Sequence, residues 1–225
     1  MTFDICGFIK DLLEKRRVFH NERDFQIAFC FELLNKGYMA RPEFYFEEEN
    51  GRRKYLDLVA VIDGECIAFE FKYKTKECDC EPDRDYITIK GEKYKLFEQG
   101  ARDEGVYAVL SDVCRLERVI EKNTEFFDKK ITKGYVVFLT NDVGYKNGFT
   151  KEDCIYFNYG LKDEKTFDTK KITFNIPKGK TKQDTNAKNK EELQLNKGFD
   201  VHWESTKIDE KNTMYYLIIE RNSSA

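Results

Sequence analysis

The stretch YLDLVAVIDGECIAFEFKYKTK, Tyr55–Lys76, decides the fold. Two apolar-rich runs flank the dipeptide Asp63-Gly64, which favours a two-residue hairpin turn because both turn positions need a positive φ. In the resulting register Asp57 lies directly opposite Glu70. Period-two alternation places Lys72 on the same face as Glu70. Two acids and a lysine therefore converge on one patch of a sheet.

This convergence costs free energy. Directly opposed like charges destabilise a strand pair by up to about 1 kcal/mol, and by more where water is excluded. We expect Leu56, Leu58, Ala60 and Ile62 to fill one face of the first strand, and Val59 and Val61 to flank Asp57 on the other. Strands that are apolar on both faces are central strands. A carboxylate pair in such a place is expected to bind a cation, share a proton or pair with the lysine.

Asp57, twelve intervening residues and then Glu70-Phe71-Lys72 resemble the bipartite motif of the PD-(D/E)XK, restriction-endonuclease-like nuclease superfamily. Leu56 stands where the motif has its proline, a position that ligates nothing. The resemblance covers about residues 20–142 and implies an α/β fold with an αβββαβ core, a central mixed sheet flanked by helices. The plain alternative is an ordinary Asp57–Lys72 ion pair on a solvated strand, but the flanking residues are too apolar for that.

The resemblance implies Mg²⁺-dependent hydrolysis of phosphodiester bonds in nucleic acid, with DNA the expected substrate and Mn²⁺ a substitute metal. Asp57, Glu70 and Lys72 would be the catalytic residues. Asp57 and Glu70 would hold the metal, and the Phe71 carbonyl and Glu22 would complete its ligands. Acids are favoured in any first helical turn, so the helix dipole is a second explanation for Glu22. Lys72 would orient or deprotonate the attacking water, or hold the phosphate.

A rival hypothesis from another class is a catalytically inactive module that retains the nuclease fold and binds nucleic acid or protein. The presence of all three motif residues argues against it. No Gly-rich phosphate loop is present, so ATP coupling is not expected. A cysteine hydrolase needs a Cys/His pair, and the chain has only two histidines.

Composition predicts an ordinary folded protein. The 225 residues, 36 % charged and 40 % hydrophobic, are enough for a real core. No apolar run approaches the roughly 20 residues of a membrane span, and the amino terminus lacks the features of a signal peptide. Seven scattered cysteines fit reduced thiols. We expect a cytoplasmic protein without a membrane partner, and a homodimer is compatible with the sequence.

Basic residues indicate where nucleic acid would bind. The net charge is only −3, so local clusters matter more than the sum. Lys74 and Lys76 leave the hairpin, and Lys178, Lys180 and Lys182 belong to a lysine-rich run. All five are predicted to contact phosphates. For the later run, a role in solubility alone is an equal alternative.

The remaining segments predict the rest of the core. We expect helices over residues 3–17 and from Asn21 to Lys36, strands over 42–48, 85–90 and 135–140, and a helix in two pieces over 92–127 with a kink at Gly105. Gln99, Asp103 and Tyr107 would form a polar ladder on that helix, resembling loosely the Gln and Tyr that some superfamily branches place near the active site, although a solvated face is the better explanation. Arg115 beside Glu117 is predicted to be a surface pair.

The chain is expected to form one domain, 1–225. Beyond residue 142, strand candidates at 155–159, 171–176, 199–204 and 215–220 predict a β extension over 143–225 that enlarges the same sheet. Residues 178–198 are rich in Lys, Asn and Gln and predict a mobile loop.

Overall fold

The structure, a computed structural model, describes residues 3–47, 53–81 and 94–223. The helices are α1 (Ile5–Lys15), α2 (Glu22–Asn35), α3 (Arg102–Glu121) and α4 (Val143–Asn147). The strands are β1 (Met39–Glu47), β2 (Arg53–Ile62), β3 (Glu65–Lys74), β4 (Cys78–Cys80), β5 (Tyr94–Leu96), β6 (Glu125–Phe126), β7 (Lys129–Thr140), β8 (Thr166–Phe167), β9 (Lys171–Ile172), β10 (Leu193–Gln194), β11 (Phe199–Asp200), β12 (Trp203–Lys207) and β13 (Thr213–Asn222). None of these helices is both long and apolar enough to cross a bilayer.

Seven strands form one mixed sheet in the order β1-β2-β3-β7-β13-β12, with β6 paired to β7. Strands β3 and β7 run parallel, and the other neighbours in the sheet are antiparallel. The chain passes from β3 to β7 through α3, as a parallel connection requires a crossover. The expected α/β class with a central mixed sheet flanked by helices is confirmed at this level.

The hairpin of β2 and β3 forms in the predicted register. Asp63 and Gly64 have φ values of 49° and 87°, and Ile62 pairs with Glu65. Both strands are central, and the residues next to the turn on β2 (Leu58–Ile62) and most of β3 are buried. The turn chemistry and the two-sided apolar pattern therefore fix this hairpin together.

The sheet separates two apolar layers. Helices α1 and α2 cover one face, where their buried residues pack on the odd-numbered side chains of β3 such as Phe69 and Phe71. Helix α3 covers the other face, and residues 145–203 pack over it with aromatic side chains such as Tyr159 and Trp203. The last two strands, β12 and β13, extend the sheet beyond β7.

Helix α2 begins and ends where its sequence predicts. The Asn21 side chain accepts a hydrogen bond from the Asp24 N–H at 2.9 Å, as an N-cap does. Gly37 follows the helix with a φ of 83°. Phe25, Phe29 and Leu33 are fully buried. Glu22 heads the same helix face and so is directed toward the sheet.

Helix α3 is one continuous helix, so the expected break at Gly105 is wrong. The glycine has a packing role instead. A Cβ atom at this position would lie 2.3 Å from the Tyr145 hydroxyl oxygen, which is far inside van der Waals contact. Gly105 lets α3 approach the neighbouring segment.

Several expected strands differ from the observed ones. Residues 157–159 form a 3-10 turn in place of the strand at 155–159, and 171–176 contains only the two-residue β9. The segment 199–204 divides between β11 and β12, and β7 begins six residues before 135. The expected strand at 215–220 lies within β13. The expected strand at 85–90 falls outside the described residues.

The lysine-rich segment 178–198 packs against α3. Ala187 and Leu195 are fully buried, and Lys190 pairs with Glu104 at 2.6 Å. Within the segment, Lys182–Asp184 form a short 3-10 helix. The mobility expected for this loop stays a prediction, but its contacts attach it to one flank of the helix.

Phe29 tests the packing of α2 on the sheet. Its ring contacts those of Phe8, Phe69 and Phe71 with centroids 4.7–5.0 Å apart, and it is fully buried. Phe29→Ala should lower the free energy of unfolding by about 3–5 kcal/mol. Phe31→Ala on the same helix should change it by less than about 0.5 kcal/mol, because Phe31 is 61 % exposed. Urea denaturation of both variants would measure this, and equal losses would contradict the packing described.

Candidate active site

The two hairpin strands separate at the predicted carboxylates. Backbone pairing between β2 and β3 ends at Leu58 and Phe69. Beyond that pair, the Phe71 N–H donates to Asp57 Oδ2 at 2.7 Å. A side-chain oxygen thus replaces a strand carbonyl as the acceptor for a backbone donor that must be satisfied. Asp57 is thereby held in the space between the strands.

Strand β1 is irregular at the same level. Glu43 stands opposite Asp57, where β1–β2 pairing is interrupted, and its φ is 50°. A non-glycine residue in this conformation costs of order 1–3 kcal/mol and persists only where the surrounding structure holds it. Leu56 packs in the α3 layer and Leu58 in the α2 layer. The expectation that these two leucines share a face is therefore wrong, because side-chain alternation is reset at Asp57.

Glu22 reaches the same region from the first turn of α2. Its Oε2 accepts a hydrogen bond from the Tyr73 N–H at 3.1 Å, and its Oε1 lies 3.7 Å from Lys72 Nζ. Burial raises the pKa of Glu22, while Lys72 acts in the opposite direction. The structure places Glu22 beside the motif lysine. Its role as a metal ligand stays a prediction.

Lys72 is surrounded by oxygen atoms. Its Nζ donates to the Phe71 carbonyl at 2.8 Å and lies 2.7 Å from Asp112 Oδ2. Burial disfavours the charged ammonium group, but the surrounding carboxylates outweigh it and raise the pKa of Lys72. Lys72 is therefore a fixed cation at neutral pH. This geometry favours a role in holding negative charge over a role in accepting a proton.

Glu70 is the most deeply buried member of the site, with no solvent exposure. Its Oε1 accepts a hydrogen bond from Arg115 Nη1 at 2.9 Å, and its Oε2 has no hydrogen-bond partner among the described residues. Burial, and then the charge of Asp112, raise the pKa of Glu70 well above its usual value, while Arg115 lowers it. The carboxylate therefore has one occupied oxygen and one orphaned oxygen.

Asp112 and Arg115 belong to the site, and the sequence reasoning missed both. Asp112 is 2 % exposed and joins the two cations, since Arg115 Nη2 lies 3.1 Å from its Oδ1 and Lys72 contacts its Oδ2. The predicted surface pair of Arg115 with Glu117 is wrong. Glu117 pairs with Arg221 at 3.1 Å on another flank of the helix. The sequence did contain one signal for their burial, an Asp–Arg pair at i, i+3 within an otherwise apolar helix stripe.

The site contains more acids than bases. The carboxylates are Glu22, Asp57, Glu70 and Asp112, and the cations are Lys72 and Arg115. The charge of Asp57 acts on the other five. With all six groups ionised the net charge is −2, which one divalent cation would neutralise.

The oxygen donors also suit a hard cation. Mg²⁺ is bound by carboxylate and carbonyl oxygens, and the orphaned Glu70 Oε2 is a buried acceptor of this kind. Within the described residues, no three carboxylate, imidazole or thiolate groups already form a cluster that could hold a metal. Oxygen donors of this type are compatible with a divalent cation, and Asp57 and Glu70 as its ligands stay a prediction.

Two of the predicted phosphate-binding lysines lie close to this site along the chain. Lys74 ends β3 and Lys76 follows it, and both line a hollow of about 120 Å³ together with Arg102, Glu98 and Asp142. The Lys76 backbone is fixed on both sides by the Asn141 side chain, at 2.7 and 2.9 Å. This end of β3 therefore presents several cations on an ordered backbone.

The other three lysines lie elsewhere. The segment containing Lys178, Lys180 and Lys182 continues into residues that bond to Asp103, Tyr107, Cys114 and Glu117 of α3. These four helix residues are spaced four, seven and three positions apart, so they lie on one flank of α3. Asp112 and Arg115 lie on a different flank of the helix. The predicted ladder of Gln99, Asp103 and Tyr107 is also wrong, because Gln99 precedes the helix and the Tyr107 hydroxyl donates to the Glu191 carbonyl.

No protein-family model matches this chain, and neither a curated protein nor a solved structure does.

Asp112 is expected to be required for stability. Asp112→Ala leaves Lys72 and Arg115 without the buried carboxylate that joins them. Breaking a buried ion pair costs about 3–5 kcal/mol. Because each cation keeps a second carboxylate, the free energy of unfolding should fall by about 3 kcal/mol. Glu104→Ala, which removes an exposed acid paired with Lys190 on the same helix, should cost less than about 1 kcal/mol. Chemical denaturation compares the two, and a loss at Asp112 no larger than at Glu104 would exclude the buried network.

Proposed function

We propose that this protein is a divalent-metal-dependent nuclease that hydrolyses phosphodiester bonds of nucleic acid, with DNA as its substrate. The observation that carries the proposal is the carboxylate pair of Asp57 and Glu70, held with Lys72 where two central strands separate. Paired acids in a buried site are costly unless a cation binds them. The surplus of acids over bases and the orphaned Glu70 oxygen support a metal at this point.

The fold supports the same proposal. Elements α2, β1, β2, β3, α3 and β7 occur in the order αβββαβ, with the short strands β4 and β5 inserted before α3 and β6 before β7, and β3 runs parallel to β7. This is the order expected of the restriction-endonuclease-like core that the motif resembles. We propose that the sheet is such a core, enlarged by β13 and β12.

Asp57 and Glu70 would hold Mg²⁺, or Mn²⁺ in its place, with the Phe71 carbonyl and Glu22 as further ligands. When bound, the ion supplies a Lewis acid that polarises the scissile phosphate and acidifies a water molecule. Each of these residues is already fixed by the protein. The Phe71 N–H orients Asp57, and the Tyr73 N–H orients Glu22.

Lys72 would hold the scissile phosphate. Its pKa is raised, so it carries a positive charge that suits the charge developing on the phosphate oxygens. Asp112 keeps the ammonium group in place at 2.7 Å. Lys74 and Lys76 would contact phosphates further along the strand, and Lys178, Lys180 and Lys182 would contribute only to a more distant part of the backbone.

The second candidate is an inactive module that binds nucleic acid or protein. The ion pair between Arg115 and Glu70 favours it to a degree, because it neutralises Glu70 without a metal. An assay on plasmid, linear duplex and single-stranded DNA across a series of divalent metals separates the two. Cleavage in Mg²⁺ or Mn²⁺ supports the nuclease, and binding without cleavage under any metal supports the module.

Metal binding should stabilise the folded protein through Asp57. A ligand that binds only the folded state stabilises it by about 2.7 kcal/mol at a hundredfold excess over Kd. Asp57→Asn should remove most of this gain, while the amide oxygen still accepts from the Phe71 N–H and preserves the strand. Thermal melting with and without Mn²⁺ measures the gain, and Glu104→Gln serves as a control. A full metal response in Asp57→Asn would place the metal elsewhere.

Lys72→Ala separates chemistry from binding. Losing one preorganised charge at the reacting phosphate should lower kcat by at least about a hundredfold. Metal binding should survive, because the carboxylates remain and a competing cation has been removed. Lys180→Ala should leave kcat nearly unchanged. Single-turnover cleavage of a labelled duplex, with folding checked by circular dichroism, gives both rates. Parental cleavage by Lys72→Ala would remove this residue from the mechanism.

A further inference from the structure

Arg115 occupies the position of a counter-ion at Glu70. Its Nη1 lies 2.9 Å from Glu70 Oε1, and its Nη2 lies 3.1 Å from Asp112 Oδ1. The guanidinium group therefore bridges two buried carboxylates from one side of the site. Its side chain is 26 % exposed, so the group is not enclosed by the core.

Glu70 needs this charge as long as no other cation is present. A carboxylate without solvent exposure is strongly disfavoured when it is ionised and unpaired. Asp112, a second buried carboxylate held by the same guanidinium group, adds like charge beside Glu70. Lys72 lies nearer to Asp112, at 2.7 Å, and none of the described contacts joins its ammonium group directly to Glu70. Arg115 is the cation in direct contact with Glu70.

A divalent cation at Asp57 and Glu70 would change this balance. It would place two positive charges beside a guanidinium group that already holds the same carboxylate. The divalent cation and the guanidinium group are both positively charged, so they would repel each other in this partly buried site. Arg115 has an alternative partner in Asp112, to which its second nitrogen is already bound.

We propose that Arg115 is a displaceable counter-ion, which neutralises Glu70 in the metal-free protein and yields that carboxylate to a divalent cation. This inference rests on the proposed metal site. It assigns Arg115 the function of setting the metal concentration at which the site is loaded. The residue stabilises the metal-free fold and at the same time weakens metal binding.

The two effects have opposite signs, and this distinguishes a counter-ion from a positioning residue. Without Arg115, the metal-free protein should be less stable, because Glu70 has lost its partner. The same protein should bind metal more tightly, because no cation competes. If Arg115 only oriented Glu70 for the metal, its removal would weaken metal binding. If it were only structural, its removal would leave metal binding unchanged.

Arg221 provides a matched control. Arg221 lies on β13 and is 2 % exposed. It pairs at 3.1 Å with Glu117, which lies on α3 as Arg115 does, but outside the site. Arg221→Met therefore removes an arginine from a buried glutamate, as Arg115→Met does, without touching the proposed metal ligands. A loss of stability from this variant should not depend on metal.

The test is titration of the full chain with Mn²⁺ by calorimetry, together with thermal melting in EDTA and in saturating Mn²⁺. Arg115→Met should melt lower than the parent in EDTA, recover most of the difference in Mn²⁺, and bind Mn²⁺ at least about tenfold more tightly. Arg115→Gln should behave likewise, since it keeps a hydrogen-bond donor but no charge. It is the second variant if Arg115→Met does not fold. Arg221→Met should melt lower in both conditions with an unchanged Kd.

Unchanged or weaker Mn²⁺ binding in both Arg115 variants would overturn the inference. If the parent binds Mn²⁺ and cleaves DNA in that case, the proposed function stands and only the role of Arg115 is wrong. If neither the parent nor the variants bind Mn²⁺, the metal site itself is refuted and the inference with it. Binding by the variants alone would support a counter-ion that is stronger than expected.

Discussion

The buried charge of Glu70 is the constraint on which the rest of the site depends. A carboxylate at the centre of a sheet, with no solvent exposure, is stable only with counter-charges and hydrogen-bond donors around it. Helix α3 supplies Arg115 directly, and Asp112 on the same helix holds Lys72 in place. The apolar remainder of α3 packs on the sheet and keeps these groups where the charge requires them. The polar network is thus carried by an apolar scaffold.

Strands β2 and β3 separate in the part of the sheet that contains Glu70. A continuous ladder would have used the N–H groups of Phe71 and Tyr73 for a neighbouring strand. Instead, Asp57 and Glu22 accept from them, so two acids enter the sheet without leaving backbone donors unsatisfied. The left-handed conformation of Glu43 opposite Asp57 marks the irregularity on β1. Strain of this kind persists only where the surrounding structure holds it.

Local patterns predicted the hairpin, α2 and the position of the motif residues, because turn chemistry, helix capping and period-two alternation act over a few residues. The convergence of Glu22 with Lys72 also followed from the face that it shares with Phe25. The roles of Asp112 and Arg115 were not predictable in the same way, since an i, i+3 pair on a helix is more often a surface pair. The reset of alternation at Asp57 coincides with the irregularity at Glu43, which lies in another strand. The packing of residues 186–196 on one flank of α3 depends on contacts about 80 residues apart in the chain.

The central claim is that Asp57 and Glu70 form a binding site for a divalent cation. Anomalous diffraction from crystals grown with Mn²⁺ tests it most directly, because the anomalous signal locates the metal independently of the protein coordinates. The account predicts a peak within coordination distance, about 2.0–2.3 Å, of one oxygen from each of these two carboxylates. Crystals that contain Mn²⁺ only at other positions, from protein that cleaves DNA in the same solution, would contradict it.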